Sequence, residues 1–436
     1  MAQFQTVKGF RDFLPAECSL RNYLFHTWRE VAVDYGFVEY EAPILESVDL
    51  YKVKSGEEIA SQLFHFEDKG GREVAMRPEL TPSLIRMAGP EFRHAPKPMK
   101  WFEIGPCFRY EKPQKGRTRE FYQFNCDIIG EDSADADAEL IALAIDLMIQ
   151  LGFSKGDFAL RLSHRATWSE FARNEGLGAE QVEEFLKIID KFEKESEERL
   201  APLFSELGTS YRAVKEFMET PDMGEEATES INAVMESLQA RGLDEYIEVD
   251  AGIVRGLAYY TGTVFELFDK KHGLRAIAGG GRYDGLCALV NGPKNDLPAV
   301  GFAMGDVVMG ELIKQTPAAQ ELAKEYAEGV AALHAFVILD EGGQKKDALA
   351  VVQRLRDEHV SADYSLSMET RKPAKQFSDA QAKQALFTVS VDASFPQLRG
   401  KFLPTRHDFS TELEDLVMAM GEIIDTESSS AEEQAL

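Results

Sequence analysis

A short stretch of this chain has the residue types and spacing to handle a phosphorylated ligand. Arg109 and Glu111 stand at the start of a basic loop, 112–119, and Gln123 and Asp127 follow it at i and i+4. A guanidinium meets phosphate or carboxylate with a planar fork of donors. A carboxylate can take an exocyclic amine, and an aromatic ring, here Phe121 or Phe124, can take the face of a base. Between Arg93 and Arg119 there are eight Lys/Arg and two Asp/Glu, although the whole chain carries a formal net charge of -27. Positive charge gathered where the rest of the chain avoids it calls for an anionic ligand. The plain alternative is a hairpin whose surface charges pair with one another, and spacing alone leaves both open.

The elements that must position these residues are two strands. Apolar and polar residues alternate over 101–109 and again over 121–129, which predicts an antiparallel pair with the basic loop between them and Gln123 and Asp127 on one face. Upstream, the pattern predicts a helix over 18–35, a strand at 37–41, and a hairpin of 62–67 with 74–77 closed by the turn Asp68-Lys69-Gly70-Gly71. Thr81 reads as an N-cap with Pro82 in the first turn, and 134–151 as a long helix. From 164 to 239 the pattern is wholly helical, and 183–250 carries nineteen Asp/Glu against seven Lys/Arg. A solvated helical insertion explains this more simply than an acidic recognition surface. Strands return at 246–254, 263–268 and 277, followed by the triplet Gly279-Gly280-Gly281 and a helix from 305. A polar helical linker over 314–329 leads to alternating strands and a helix at 335–339, 345–359, 362–366 and 386–391, a small α/β domain. Residues 422–436 lack Lys and Arg and read as a frayed acidic tail.

Composition narrows the function. The length, 436 residues, implies more than one domain. Four dispersed cysteines give neither a disulfide framework nor a zinc site, and no protein-held metal is expected. The start lacks a signal-peptide pattern and no apolar run approaches the ~20 residues of a membrane helix, so the expectation is a cytoplasmic protein without a membrane partner. Acidity excludes indiscriminate nucleic-acid binding and leaves no DNA partner expected; an RNA must be met at a local basic surface. No GxxxxGK[ST], strand-linked GxGxxG, GxSxG or HxxxH pattern occurs, which removes P-loop, dinucleotide, serine-hydrolase and metalloprotease readings.

The segment FRYEKPQKGRTREFYQF resembles motif 2 of class II aminoacyl-tRNA synthetases. GFRDFLP, RPELT at 77–81, RGLAYYTGTVFE at 255–266 and AGGGRYDGL at 278–286 are together similar to the histidyl-tRNA synthetase family. The resemblance covers 7–306 and resumes near the C-terminus. It implies an α+β fold, a class II antiparallel sheet flanked by helices, with a helical insertion at about 165–245 and a small C-terminal α/β domain. The expected division is a catalytic domain over 1–330, an anticodon-binding domain over 331–422 and a tail over 423–436. The implied activity is ATP-dependent activation of L-histidine and its transfer to tRNA(His), by a homodimer. Carried over by position, Arg109 takes the α-phosphate and the histidine carboxylate, Glu111 the adenine amine and Phe121 its ring. Glu79, Thr81 and Gln123 sit by the α-amino group, and Tyr259, Tyr260 and Tyr283 surround the imidazole with Asp127. Arg117 reaches the outer phosphates, which Mg2+ bridges, and Arg255 stands where other class II enzymes use a metal. Lys115, Arg371, Lys372 and Lys375 meet the tRNA.

The chain departs from the family pattern in places. Val308 falls where motif 3 usually carries the arginine for the γ-phosphate, which leaves Arg117 or Arg282 as stand-ins. Asp127 replaces an expected Glu, and Ala258 a frequent Asp. Val308 favours an alternative, a catalytically silent histidine-binding paralogue acting as a regulatory subunit of ATP phosphoribosyltransferase. Arg109, Glu111, RGLAYY and the C-terminal α/β segment oppose it. A plain RNA-binding scaffold does not explain polar residues set on apolar strands.

Overall fold

The computed structural model describes residues 4–55, 61–114, 116–189, 191–192, 195–253 and 260–435. The chain divides into two compact units, Met1–Lys324 and Glu325–Leu436.

In the first unit, α1 (Pro15–Asp34) has an amphipathic stripe of Leu20, Leu24, Trp28 and Val31, of which Leu20 is half-buried and the other three buried. Strand β1 (Val38–Glu39) follows. A small sheet holds β2 (Leu45–Ser47), β3 (Phe64–Glu67) and β4 (Glu73–Met76), with α2 (Val48–Ser55) between its first two strands. The β3–β4 hairpin is the expected one, and Asp68 closes its turn by accepting from the Gly70 and Arg72 N–H groups. Helix α3 (Thr81–Glu91) leads to β5 (Met99–Phe108) and β6 (Glu120–Ile129), antiparallel as the alternation requires. Then come α4 (Ala134–Gln150) and β7 (Phe158–His164).

The insertion is α5 (Arg165–Asn174), α6 (Ala179–Ile189), α7 (Glu197–Leu207), α8 (Tyr211–Glu219) and α9 (Gly224–Ala240). Trp168, Phe185, Leu200 and Phe204 give it a core of its own, so its acidic residues are the outer faces of amphipathic helices. Beyond it lie β8 (Ile247–Val249), β9 (Thr263–Asp269), β10 (Ala278–Arg282), α10 (Leu286–Asn291), β11 (Ala299–Gly305), α11 (Asp306–Ile313) and α12 (Pro317–Ala331).

The main sheet has the order β1-β5-β6-β11-β10-β9-β7-β8 and is antiparallel except for the parallel edge pairs β1–β5 and β7–β8. Strand alternation divides it into two faces. On one, Phe102, Phe124, Cys126, Ile128, Phe302 and Met304 are buried, and Trp28 of α1 stacks on Phe124 with ring centroids 5.4 Å apart. On the other, Gln123, Asn125 and Asp127 stand opposite Gly105, Glu103 and Trp101 of β5 and Gly305, Ala303 and Gly301 of β11. The glycine triplet is itself strand β10 at the centre of the sheet, between β11 and β9. A Cβ on Gly280 would meet the Gly301 carbonyl at 2.4 Å, which is why glycine stands there.

The second unit is a five-stranded sheet in the order β13-β12-β14-β15-β16. Its elements are β12 (Ala335–Leu339), α13 (Lys345–Asp357), β13 (Ala362–Tyr364), α14 (Pro373–Ala382), β14 (Phe387–Val391), β15 (Gln397–Phe402), β16 (His407–Glu412) and α15 (Leu416–Ala435). Val337, Leu355, Val389, Leu398 and Leu416 form its core. Helix α15 runs to Ala435, and Ile423 and Ile424 pack on that core.

Candidate active site

The polar row of β6 floors a narrow cavity of about 60 Å³. Glu79, Thr81, Arg109, Gln123, Asp127, Tyr260 and Tyr283 all line it, together with Asn125, Gly279, Gly301, Phe302 and Ala303. One end is defined by Asp127, 1% exposed, which accepts the Tyr283 hydroxyl at 2.5 Å. Glycine on the neighbouring strands makes room for this arrangement. A Cβ on Gly301 would stand 1.8 Å from Asp127 Oδ1, and one on Gly281 would stand 2.9 Å from the ring of Tyr260. Asn125 is the residue that sequence reading missed; the alternation that put Gln123 and Asp127 on one face puts it there too.

Beside the polar row, on the same face of the sheet, Arg77 is 1% exposed and donates to Glu103 Oε1 at 2.6 Å, the Ala42 carbonyl at 2.9 Å and the Pro106 carbonyl at 2.8 Å. Burial raises the Glu103 carboxyl, and Arg77 opposes that rise. Burial, then the nearby Asp127 and Glu103 carboxylates, push the Tyr40 phenol well above its usual value, so it stays protonated behind the site. Burial also pushes the Cys107 thiol up to about 12, and its Sγ lies 3.3 Å from Gln123 Oε1. A neutral thiol donating to that oxygen turns the Gln123 amide.

At the other end, Arg109 Nε donates to the Pro78 carbonyl at 3.0 Å, and its guanidinium lies 5.1 Å from the centre of the Phe121 ring. Phe121 shares the face of Gln123, whereas Phe124 points into the apolar core. The loop after Arg109 is anchored at its base, where the Gly9 carbonyl accepts from the Arg119 and Glu120 N–H groups. Glu111 and Arg117 form an ion pair at 2.5 Å. Arg275, from the β9–β10 connection, stands in the field of both. Partial burial and then repulsion from Arg117 lower its pKa, while Glu111 opposes the shift. Two guanidiniums in the field of one carboxylate leave a net positive charge at this loop. An electrostatic influence between segments so distant in sequence gives no local signal.

Several expectations need correction. Thr81 opens α3 as its first residue, with Leu80 at the cap position and no side-chain cap bond; its side chain lines the cavity instead. Arg282 faces away from the cavity, because it alternates with Gly281 and Tyr283 on β10. Its guanidinium is 8% exposed and donates to Asp137 Oδ2 at 3.1 Å and to the Glu131 and Ser133 carbonyls at 3.0 and 3.1 Å. It is thus spent on α4 and its N-terminal approach, and is no stand-in for a phosphate clamp. Val308 lies in the first turn of α11, where Asp306 is held by Arg11 at 2.9 Å and accepts the Tyr122 N–H at 2.8 Å. Arg255, Tyr259 and Lys115 lie outside the described residues.

In the second unit, Arg371 and Lys372 line a cavity of about 620 Å³ with Lys345, Lys346, Asp340, Glu341 and Glu369. The Arg371 guanidinium is held by Asp379, its Nη2 at 2.6 Å from Oδ1. Buried Gln376 organises this loop by bonding the Leu339 N–H and carbonyl and the Arg371 carbonyl. Lys375 lies in the first turn of α14 and contributes to the field at Asp379.

The family model for histidyl-tRNA synthetase matches residues 9–306. The chain belongs to the histidyl-tRNA synthetase family. A histidine–tRNA ligase of Opitutus terrae is 42% identical over 405 residues, 88% of this chain and 91% of that protein. The chloroplastic/mitochondrial histidine–tRNA ligase of Arabidopsis thaliana is 36% identical over 94% of this chain and 85% of its own. Among solved structures, apo histidyl-tRNA synthetase of S. aureus matches with a TM-score of 0.70 and 24% identity over 96% of this chain and all of its own. A Bacillus halodurans protein described as an ATP phosphoribosyltransferase regulatory subunit/histidyl-tRNA synthetase matches at 0.68 and 20% identity, over 90% of this chain and 99% of its own. Fold alone therefore does not separate synthetase from regulatory subunit, and a match over nine-tenths of this chain weakens the presence of a C-terminal segment as an argument. The family match and the relatives at 36–42% identity favour the synthetase.

Proposed function

We propose that this member of the histidyl-tRNA synthetase family is a histidine–tRNA ligase, which activates L-histidine with ATP to histidyl-adenylate and transfers the histidyl group to the 3′ end of tRNA(His). The observation that carries the reading is one cavity with Asp127 and Tyr283 at one end and Arg109 over Phe121 at the other. The first end suits an imidazole, whose ring nitrogens need buried polar partners; the second suits a nucleotide phosphate beside an aromatic plate. Glu79, Thr81 and Gln123, which line the same cavity, would meet the α-ammonium group.

The histidine carboxylate attacks the α-phosphorus in line, and diphosphate leaves. Charge builds on the phosphoryl oxygens, so the chain's work is positioning plus fixed positive charge. Arg109 supplies that charge, with Arg255 assigned to the same task by the family pattern. Glu111 serves the adenine amine, which requires its pair with Arg117 to loosen so that Arg117 turns to the outer phosphates. Mg2+ would come with ATP and neutralise charge on the outer phosphates, with no dedicated protein site assigned to it. The loop with Lys115 meets the acceptor end of the tRNA, and the second unit, with Arg371, Lys372 and Lys375, meets the anticodon. The working form is a cytoplasmic homodimer.

The test is ATP–pyrophosphate exchange by the full chain with each amino acid in turn. Exchange driven by histidine alone is the expected result. No exchange with histidine would overturn the ligase reading in favour of a silent histidine-binding subunit.

A further inference from the structure

We propose that Asn125 recognises the ring nitrogen nearer the backbone, Nδ1, of the bound histidine, beside Asp127 at the farther one; this rests on the ligase reading of the same cavity. Asn125 is 3% exposed and lines the cavity midway along the polar row. Its Oδ1 is buried and has no hydrogen-bond partner among the described residues. A buried amide oxygen left unpaired is costly in a folded protein, and a site that completes itself on its ligand is a common reason for keeping one.

Of the groups around Asn125, most are engaged; the second Glu103 oxygen, Oε2, is buried and unpartnered among the described residues like Asn125 Oδ1, but as an acceptor it cannot pair with it. Glu103, opposite it on β5, takes Arg77 at 2.6 Å. Gln123 takes the Cys107 thiol at 3.3 Å, and the hydrogen of the Tyr283 hydroxyl goes to Asp127. Opposite Asn125 on the other side is Ala303, whose side chain offers no polar atom. Asn125 and Asp127 are two residues apart on one face, about 6.6 Å along the strand. An amide and a carboxylate so spaced can meet two positions of one small ring from the same side. A side-chain amide also has a donor and an acceptor edge, so it serves a ring nitrogen with or without its hydrogen. It does so without adding a second negative charge next to Asp127.

The experiment is pyrophosphate exchange by full-length wild type and Asn125→Ala with two substrates, L-histidine and β-(pyrrol-3-yl)-L-alanine. The analogue keeps the far N–H and has carbon at the near position. Wild type should prefer histidine strongly, since a polar group left unpaired by the analogue is what rejects it. Asn125→Ala should lower kcat/KM for histidine by about 10- to 100-fold, a range set by one lost buried hydrogen bond. It should leave KM for ATP and use of the analogue unchanged, so that the preference collapses. Equal losses on both substrates would make Asn125 a structural residue and overturn the proposal. Equal use of both substrates by wild type would overturn it without any variant. Failure of wild type to exchange with histidine would bring down the ligase reading itself, a result separate from either.

Discussion

Replacing Gly301 by alanine puts the histidine end of the cavity to a direct test. Gly301 and Asp127 face each other across the β6–β11 ladder. The new Cβ would stand 1.8 Å from Asp127 Oδ1, so the carboxylate must retreat by about 1.6 Å to reach ordinary contact at 3.4 Å. Asp127 is held from above by the Tyr283 hydroxyl at 2.5 Å and is almost fully buried, so this retreat breaks a charge-assisted hydrogen bond of about 1.5–3 kcal/mol. A displacement above 1 Å in a binding group costs on the order of 10²-fold, or about 2.7 kcal/mol. Pyrophosphate exchange with histidine and ATP varied separately should therefore show kcat/KM for histidine down about 100-fold and KM for ATP nearly unchanged, since the Arg109–Phe121 end is untouched. Gly310→Ala is the control: a Cβ there meets nothing within 4 Å, and a helix-interior Gly→Ala change is neutral or stabilising by up to about 1 kcal/mol. Wild-type histidine kinetics in Gly301→Ala would mean that Asp127 does not bind the ring.

Other variants separate scaffold from site. Arg282→Ala leaves Asp137 buried without its guanidinium and should destabilise the fold by about 3–5 kcal/mol, seen as a lower denaturant midpoint; a raised KM for ATP at unchanged stability would return Arg282 to the phosphates. Arg275→Ala should raise KM for ATP about 10-fold and leave KM for histidine alone, as expected if Arg275 and Arg117 share the charge that Val308 lacks; unchanged ATP kinetics would remove it from the site. Burial raises the Asp306 carboxyl above its ordinary ~3.9 against the pull of Arg11, so the folded state keeps a proton that the unfolded state has lost. Asp306 therefore costs stability as pH rises from about 3.9 through its raised value, and Asp306→Asn should flatten the fall in unfolding midpoint across that window. An identical slope in the variant would rule this out.

Much of this site was legible in the sequence where the chain alternates. The β5–β6 pair, the shared face of Gln123 and Asp127, and the basic loop between strands follow from a period of two and a local excess of charge. Asn125 was equally legible, and was passed over because an amide between two apolar residues looks unremarkable without its neighbours. Strand β10 was not legible as a strand, since three successive glycines have no alternation to read, and the direction of Arg282 was lost with it. Strand β15 contains Arg399, Gly400 and Lys401, and Gly400 is required because a Cβ there would meet the Phe409 ring at 2.1 Å; propensity works against such a segment and tertiary packing decides it. The approach of Arg275 to Arg117 joins loops more than 150 residues apart, a pairing that follows from sheet order and not from any local pattern.

The two ends of the cavity are held by different means, and this bears on what each can do. Asp127, Asn125 and Gln123 stand on a strand flanked on both sides and fixed from behind by Phe124, Trp28 and Phe302. Side chains mounted on a packed central sheet move little, so discrimination between rings is suited to that end. Glu111, Arg117 and Arg275 stand on loops, and under the proposed assignment the ion pair between the first two exchanges for contacts to ATP. Such a swap costs least on the Arg117 side, which is 43% exposed, while Glu111, 17% exposed, needs a new partner such as the adenine amine when Arg117 leaves. Amino-acid selection then rests on geometry fixed before binding, and ATP capture on charges that rearrange. Substitutions on β6 should accordingly change which amino acid is used, while substitutions at 111, 117 and 275 should change how much ATP is needed.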